Sequence, residues 1–151
     1  MPAATLTLDT NRLERAIRDF TAGTLPRVAQ ALARETLADV AEETSKGVSG
    51  STGLIRRVDT HRYINAWNLA AARAGRTVGP TAAAKPGDVT YVGPPKNLRS
   101  LGRIRINVPY AEYLETGTSS MQAGNHLARA MYLVNKRLAA KVKAAVAKAA
   151  K

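Results

Sequence analysis

Apolar and polar residues alternate strictly between positions 103 and 108, where Ile104, Ile106 and Val108 share one side. A period of two is typical of a β-strand with one buried face, so we predict a strand here. The proline at position 109 ends it, because proline has no N–H to donate to a ladder. A second short strand is predicted at Val89–Val92.

The residues after Pro109 predict a compact corner. Tyr110–Glu115 can form about one helical turn or a compact corner, with Tyr110 and Leu114 on the same side. Gly117 then lies in a Thr-Gly-Thr turn, where we expect a positive φ that other residues resist. A polar loop, Ser119–Asn125, leads from this corner to the next helix.

Three segments repeat their apolar residues every three or four positions, which is the period of an amphipathic helix. The first begins after Asp9 or Thr10, either of which can cap it. The second is capped by Thr24 and runs to about Thr44. The third occupies His126–Lys151, and its apolar seam consists of Leu127, Met131, Val134, Leu138, Val142, Ala145 and Ala149.

The connecting segments lack this regularity. Lys46–Gly53 is rich in glycine and serine and is predicted to be a flexible loop, and Gly75–Asp88 a loop or a hairpin arm. Tyr63–Ala66 is predicted to form a short helical turn. Trp67–Arg73 is ambiguous, because its intrinsic propensity favours a helix whereas alternate positions carry Trp, Leu and Ala, as in a strand.

These elements predict a single α+β domain over residues 1–151. Its expected parts are N-terminal helices, a small antiparallel sheet of about three to five strands, and a long C-terminal helix packed on that sheet. The chain has one Trp and one Phe, so we expect assembly to complete its apolar burial. The basic tail from about 138 to 151 has little apolar bulk and is expected to fray without a partner.

The formal net charge of +12 is distributed unevenly. Residues 1–60 contain 8 basic and 8 acidic side chains, whereas residues 61–151 contain 15 basic and 3 acidic ones. A concentrated positive field favours a polyanion or an acidic protein surface, and the alternative is an ordinary solvated strand and helix face. The predicted DNA or acidic-partner face consists of Lys96, Arg99, Arg103, Arg105, Arg129, Lys136 and Lys143.

Candidate catalytic and ligand groups are few. The chain has no Cys, which excludes disulfides and thiolate metal sites, and no apolar run long enough for a membrane span. Glu112 and Glu115 are three residues apart, but no third ligand or base lies near them in sequence. Ser119 lacks the flanking glycines of a nucleophile elbow, and His61 and His126 are expected to be solvated. We therefore predict no enzymatic activity, no cofactor and no metal site.

Two segments carry a family resemblance. The residues at 108–124, VPYAEYLETGTSSMQAG, resemble the "pYA-x-x-lE-x-GtS-x-qAP" signature of phage minor tail protein Z-like and tail-completion proteins. Upstream, VDTHRY at 58–63 together with Trp67 resembles the "vDTGrlr-x-sW" segment of the same family. The likeness runs from about Asn11 to Met131. His61 stands where the family usually has Gly, and Gly124 where it usually has Pro.

The resemblance implies a structural virion protein that joins phage heads to tails at the neck. It implies a homo-oligomeric ring, hexameric by the same resemblance, at the head-proximal end of the tail and around the DNA exit path. The implied partners are a tail terminator or tail tube protein, the head connector proteins and, non-specifically, phage DNA; assembly takes place in the host cytoplasm, with no membrane involved.

The resemblance also implies a strand at Trp67–Arg73, which we adopt. It implies a packing and assembly corner whose residues are Tyr110, Tyr113, Glu115, Gly117, Thr118, Asp59, Thr60 and Trp67. We expect replacement of Glu115 by Gln to leave the fold intact and to weaken any contact with a basic residue. The basic composition leaves a second hypothesis, a standalone nucleic-acid-binding protein.

Overall fold

The computed structural model describes residues 4–6, 26–51, 59–95, 100–119 and 122–149. The helices are α1 (Pro26–Ser51), α2 (Asp59–Arg73), α3 (Ala111–Thr116) and α4 (His126–Ala149). The strands are β1 (Ala4–Leu6), β2 (Val89–Val92) and β3 (Arg103–Ile106), and a 3-10 turn at Pro86–Asp88 precedes β2. The helix predicted after Asp9 or Thr10 lies outside the described residues.

The strands form one antiparallel sheet in the order β1-β3-β2. In the central strand, Ile104 and Ile106 are fully buried, whereas Arg103 and Arg105 are exposed. The cross-strand neighbour of Arg105 on β2 is Thr90, which is also exposed. The two predicted strands and the alternation of β3 are therefore confirmed, and the buried side of the sheet packs on α2.

The helices pack around α1, which contacts α2 on one side and α4 on another. α4 runs antiparallel to α1, since His126 at its start lies against Gly47 and Lys141 farther along pairs with Asp39. This arrangement differs from the predicted packing of the C-terminal helix on the sheet. The buried side of the sheet is occupied by α2, and the apolar seam of α4 packs on the alanine-rich surface of α1 instead.

The α1 helix continues to Ser51, past its predicted end near Thr44. The predicted flexible loop at Lys46–Gly53 is therefore wrong for residues 46–51. Val48 is only 1% exposed, and a Cβ on Gly47 would lie 3.4 Å from the imidazole Nδ1 of His126. Burial against α4 outweighs the helix cost of a glycine, which is about 1 kcal/mol.

The strand predicted at Trp67–Arg73 is also wrong, because α2 is one continuous helix that includes the short turn predicted at Tyr63–Ala66. Tyr63, Ala66, Trp67, Ala70 and Ala71 are all 0% exposed. They recur at spacings of three and four, which places them on one helix face. The helical propensity of this segment was the correct indicator, and the alternation of apolar residues within it was not.

The α+β class is confirmed. The sheet has three strands, the lowest number in the predicted range of three to five. Two of them have four residues and β1 has three. The loop predicted at Gly75–Asp88 is irregular, apart from the 3-10 turn at its end. Within the described parts of the chain, no helix combines the length and the apolar content that a membrane crossing requires.

Candidate functional site

The predicted corner is organised by Glu115, whose two carboxylate oxygens bind different elements. The Tyr63 hydroxyl, from α2, donates to Oε1 over 2.8 Å. The backbone N–H of Leu127, in the first turn of α4, donates to Oε2 over 2.9 Å. The carboxylate thus satisfies one of the free N–H groups at a helix start and places negative charge at the positive end of that helix. Glu115 joins α2, α3 and α4 within one chain, and neither of these two partners is basic.

The short α3 helix holds Glu115 in this position. Ala111 and Leu114 are buried, which fixes the inner side of the helix. At its end Gly117 has φ 77° and ψ −178°, and its N–H donates to the Tyr113 carbonyl over 2.9 Å. This backbone region is essentially restricted to glycine. The predicted helical turn and the predicted positive φ of Gly117 are both confirmed.

The chain returns to α3 before α4 begins. The N–H groups of Gly124 and Asn125 donate to the carbonyls of Leu114 and Glu115, each over 3.0 Å. A Cβ at Gly124 would lie 2.4 Å from Nε2 of His126 and 2.5 Å from the Leu114 oxygen, distances that no real side chain accepts. The imidazole therefore occupies the space that a larger residue at position 124 would need. This gives a physical reason for glycine where the resembling family usually has proline.

His126 is only 6% exposed, so the expectation that it is solvated is wrong. Burial lowers the pKa of its imidazole below the ordinary 6.5; the charge of Glu115 opposes this shift and that of Arg129 adds to it. The Nε2 atom is buried and has no hydrogen-bond partner. An imidazole in this environment is neutral at pH 7.

Tyr63 and Trp67 form the α2 side of the corner. Both are 0% exposed, and their rings meet edge to face, with centroids 6.2 Å apart and planes at 84°. Burial, followed by the charge of Glu115, raises the pKa of the Tyr63 hydroxyl well above 10.0. The hydroxyl therefore keeps its proton and remains a donor to Glu115. Trp67 is a core residue that no ligand or partner can reach directly.

The remaining corner residues have different environments. Tyr113 is 46% exposed, Thr118 is exposed and Tyr110 is half-buried. Asp59 and Thr60 are the first two residues of α2, and their side chains lie outside what the structure describes. The corner therefore consists of a partly buried hydrogen bond between Tyr63 and Glu115 and an outer surface that includes Tyr113 and Thr118.

A second polar tie was not predicted from the sequence. Asp88 is 2% exposed, and its carboxylate accepts two hydrogen bonds from the Arg62 guanidinium, at 2.7 and 2.5 Å. Its Oδ2 also accepts from the Lys85 N–H over 2.8 Å. The bond from Arg62 is the main reason that the pKa of Asp88 lies below its ordinary range. The only feature of the sequence that could have pointed to Asp88 is that it is one of just 3 acidic residues in 61–151.

Acidic side chains of α1 neutralise part of the positive charge from the second part of the chain. Arg76 binds Asp39 and lies 3.0 Å from Glu42. Lys141 of α4 binds Asp39 as well and lies 3.0 Å from Glu35. Arg137 pairs with Glu43 in the same way, at 3.1 Å. The charge asymmetry along the sequence is thus reduced when α1 and α4 pack together.

The remaining cations of the predicted face lie on two surfaces. We call the first the open sheet face; it consists of Thr90, Val92, Arg103 and Arg105, all exposed on the side away from α2. We call the second the α4 outer face; it consists of Arg129, Tyr132, Lys136 and Lys143, all exposed. None of the five cations forms an ion pair with a described residue. Because the sheet packs on α2 and α4 packs on α1, the structure does not bring them together as one surface, and Lys96 and Arg99 lie outside the described residues.

The two carboxylates of α3, Glu112 and Glu115, have different surroundings. Both carboxylate oxygens of Glu115 accept hydrogen bonds, from Tyr63 and from Leu127, and no hydrogen bond between described residues joins Glu115 to Glu112. Nowhere in the described ranges do three or more His, Asp or Glu side chains come together in a way that could hold a metal ion. The arrangement is suited to holding elements together and to presenting charge.

No protein-family model, curated protein or solved structure matches this chain. The family resemblance therefore rests on the two quoted segments and on how they fit together.

Proposed function

We propose that this chain is a structural protein of a tailed-phage virion, a tail-completion component that joins the head to the tail. It forms a homo-oligomeric ring, of about six copies if it follows the family that it resembles, at the head-proximal end of the tail. Its neighbours are a tail terminator or tail tube protein and the head connector. It performs no catalysis.

The contact between the two resembling segments is the observation that carries this proposal. Tyr63 belongs to the upstream segment and Glu115 to the downstream one, and their side chains are hydrogen-bonded although they are 52 residues apart. Two short strings that matched a signature by chance would have no reason to meet in the fold. Their direct contact supports treating them as one architectural unit, as the resemblance requires.

The corner also has a form that suits assembly. Its inner side is held by the partly buried hydrogen bonds of Glu115 to Tyr63 and Leu127, and its outer side exposes Tyr113, a large side chain that is 46% accessible. A rigid aromatic residue on a well-supported corner is a frequent anchor in protein interfaces. In the proposed ring, Tyr113 contacts the adjoining subunit.

The test is to remove the protein from its phage and to image normal particles. Loss of the protein should leave separate heads and tails, and reconstruction of normal particles should place a ring of copies at the neck. One or two copies at the neck, or a location elsewhere in the particle, contradicts the proposal. Tyr113→Ser should reduce the joining of heads to tails without changing the melting temperature. Val92→Ser, at a residue that is 56% exposed, is the control and should leave joining unchanged.

The exposed basic surfaces favour a second function, that of a standalone nucleic-acid-binding protein. One set of observations distinguishes the two functions. A chain that stays monomeric, binds DNA tightly and is dispensable for joining heads to tails is a nucleic-acid-binding protein and not a neck component.

A further inference from the structure

The α4 outer face differs from every other charged surface among the described residues. Helix α4 contains no acidic residue along its 24 positions. Its cations nearest to α1, Arg137 and Lys141, are paired with acids of that helix. Arg129, Lys136 and Lys143 are exposed and have no ion pair with a described residue. The fold thus neutralises the cations on the flank of α4 and leaves those on its outer side available.

These three cations form a straight line along the helix. They are seven residues apart, so at about 1.5 Å per residue they are spaced by about 10.5 Å and span about 21 Å. They lie opposite the buried Ala130 and Val134, which pack toward the core. Tyr132 is 65% exposed on the same side.

We propose that the α4 outer face binds the phosphate backbone of double-stranded DNA, without sequence preference. DNA presents a continuous line of negative charge, which matches a line of evenly spaced cations. The choice of duplex DNA as the polyanion rests on the proposed function, because the neck surrounds the path of the DNA. Contacts to phosphates position a protein and carry no sequence information.

An acidic protein fits this face less well. Protein interfaces usually have a desolvated core with several large side chains, surrounded by a polar rim. On this face Tyr132 is the only large exposed apolar side chain among the described residues. Alanines at 139, 140 and 147 are exposed and small, so a broad polyanion can approach the helix closely.

The open sheet face is the weaker candidate for DNA. Its two described arginines, Arg103 and Arg105, are two residues apart on β3, and their cross-strand neighbours on β2 are Val92 and Thr90. This makes a small patch and not an extended line. Its two arginines together with the exposed Lys85 therefore provide a control set of three cations, which matches the charge of the α4 outer face.

The test measures binding of the full chain to a random-sequence DNA duplex over a range of salt concentrations. The variant R129Q/K136Q/K143Q removes the three cations of the α4 outer face. The control K85Q/R103Q/R105Q removes the same charge from exposed cations elsewhere. Circular dichroism and thermal melting verify that both variants are folded.

We expect the α4 variant to lower the slope of log affinity against log salt by about 2.7, or about 0.9 for each phosphate that is no longer neutralised. Between about 50 and 200 mM salt, the wild-type affinity should accordingly fall about 40-fold more than that of the α4 variant. The control should keep a slope close to that of the wild type.

Three results overturn the inference. Equal losses of affinity in the two variants mean that DNA binding depends only on the net charge of the protein. If the wild type does not bind the duplex even at low salt, the α4 outer face is not a DNA-binding surface. Binding to poly-glutamate as tightly as to DNA at the same salt assigns the face to an acidic protein. None of these results bears on whether the protein forms the neck ring, which the imaging experiment tests separately.

Discussion

The tie between Tyr63 and Glu115 predicts a measurable coupling between two residues that are far apart in sequence. Tyr63→Phe removes the hydroxyl that donates to Oε1, and Glu115→Gln removes the charge and one of the two acceptor oxygens. Both side chains keep their size, so neither change opens a cavity. Each single variant and the double variant should remain folded.

The magnitudes follow from the surroundings of the two groups. A hydrogen bond to a charged group contributes about 1.5–3 kcal/mol, so Tyr63→Phe should lower the free energy of unfolding by about 2 kcal/mol. Glu115→Gln should cost about 2 kcal/mol as well, because it weakens two bonds and removes a charge at the start of α4. For a chain of this length each loss corresponds to about 4–8 °C in melting temperature.

The decisive quantity is the double-mutant cycle, measured by urea unfolding. If the two groups act on each other, the double variant should lose at least about 1 kcal/mol less than the sum of the single variants. Glu112→Gln is the matched control, since it removes a partly buried carboxylate of the same helix that has no hydrogen bond or ion pair within the described residues. It should change stability by less than about 0.5 kcal/mol. A coupling energy below about 1 kcal/mol refutes the role given to Glu115. Equal losses of stability for Glu112→Gln and Glu115→Gln refute it as well.

Three further outcomes follow from single sites. Gly117→Val should lower the free energy of unfolding by about 1–3 kcal/mol, because its φ is 77°, whereas Gly87→Val, where nothing lies within 4 Å of an added Cβ, should melt like the wild type. Burial lowers the pKa of His126 in the folded protein, so as the pH falls the unfolded chain binds a proton at this residue before the folded chain does. The free energy of unfolding should therefore decrease as the pH drops below about 6.5, by at most about 1.4 kcal/mol per pH unit. His126→Gln should flatten that part of the pH profile and His61→Gln, at an exposed position, should not. Asp88→Asn removes a carboxylate that accepts three hydrogen bonds and should cost about 2 kcal/mol or more in urea unfolding; a change under about 0.5 kcal/mol contradicts its role.

Some features of the candidate site follow from local sequence alone. The alternation around Ile104 predicts both the strand and its exposed arginines, because side chains on a strand point to opposite faces whatever lies beyond it. Pro109 and Gly117 predict where the strand stops and where the short helix ends, since each has a backbone preference of its own. The seven-residue spacing of Arg129, Lys136 and Lys143 likewise predicts one helix side.

Other features depend on partners that are distant in sequence. The extension of α1 past Thr44 depends on the packing of Gly47 against His126, and the helical state of Trp67–Arg73 on the burial of one side of α2. Local periodicity cannot decide such cases, because short apolar runs are compatible with both helix and strand. Burial in the assembled core decides them.

Charge shows the same division between sequence and tertiary structure. The sequence by itself determines how many cations the second part of the chain contains and their spacing along each element. Only the tertiary structure decides which of them are neutralised, since Arg76 and Lys141 meet Asp39 through the packing of distant segments around α1. It likewise decides that Glu115 meets Tyr63. Ion pairs and hydrogen bonds form over a few ångströms of space, and separation along the chain does not determine that distance.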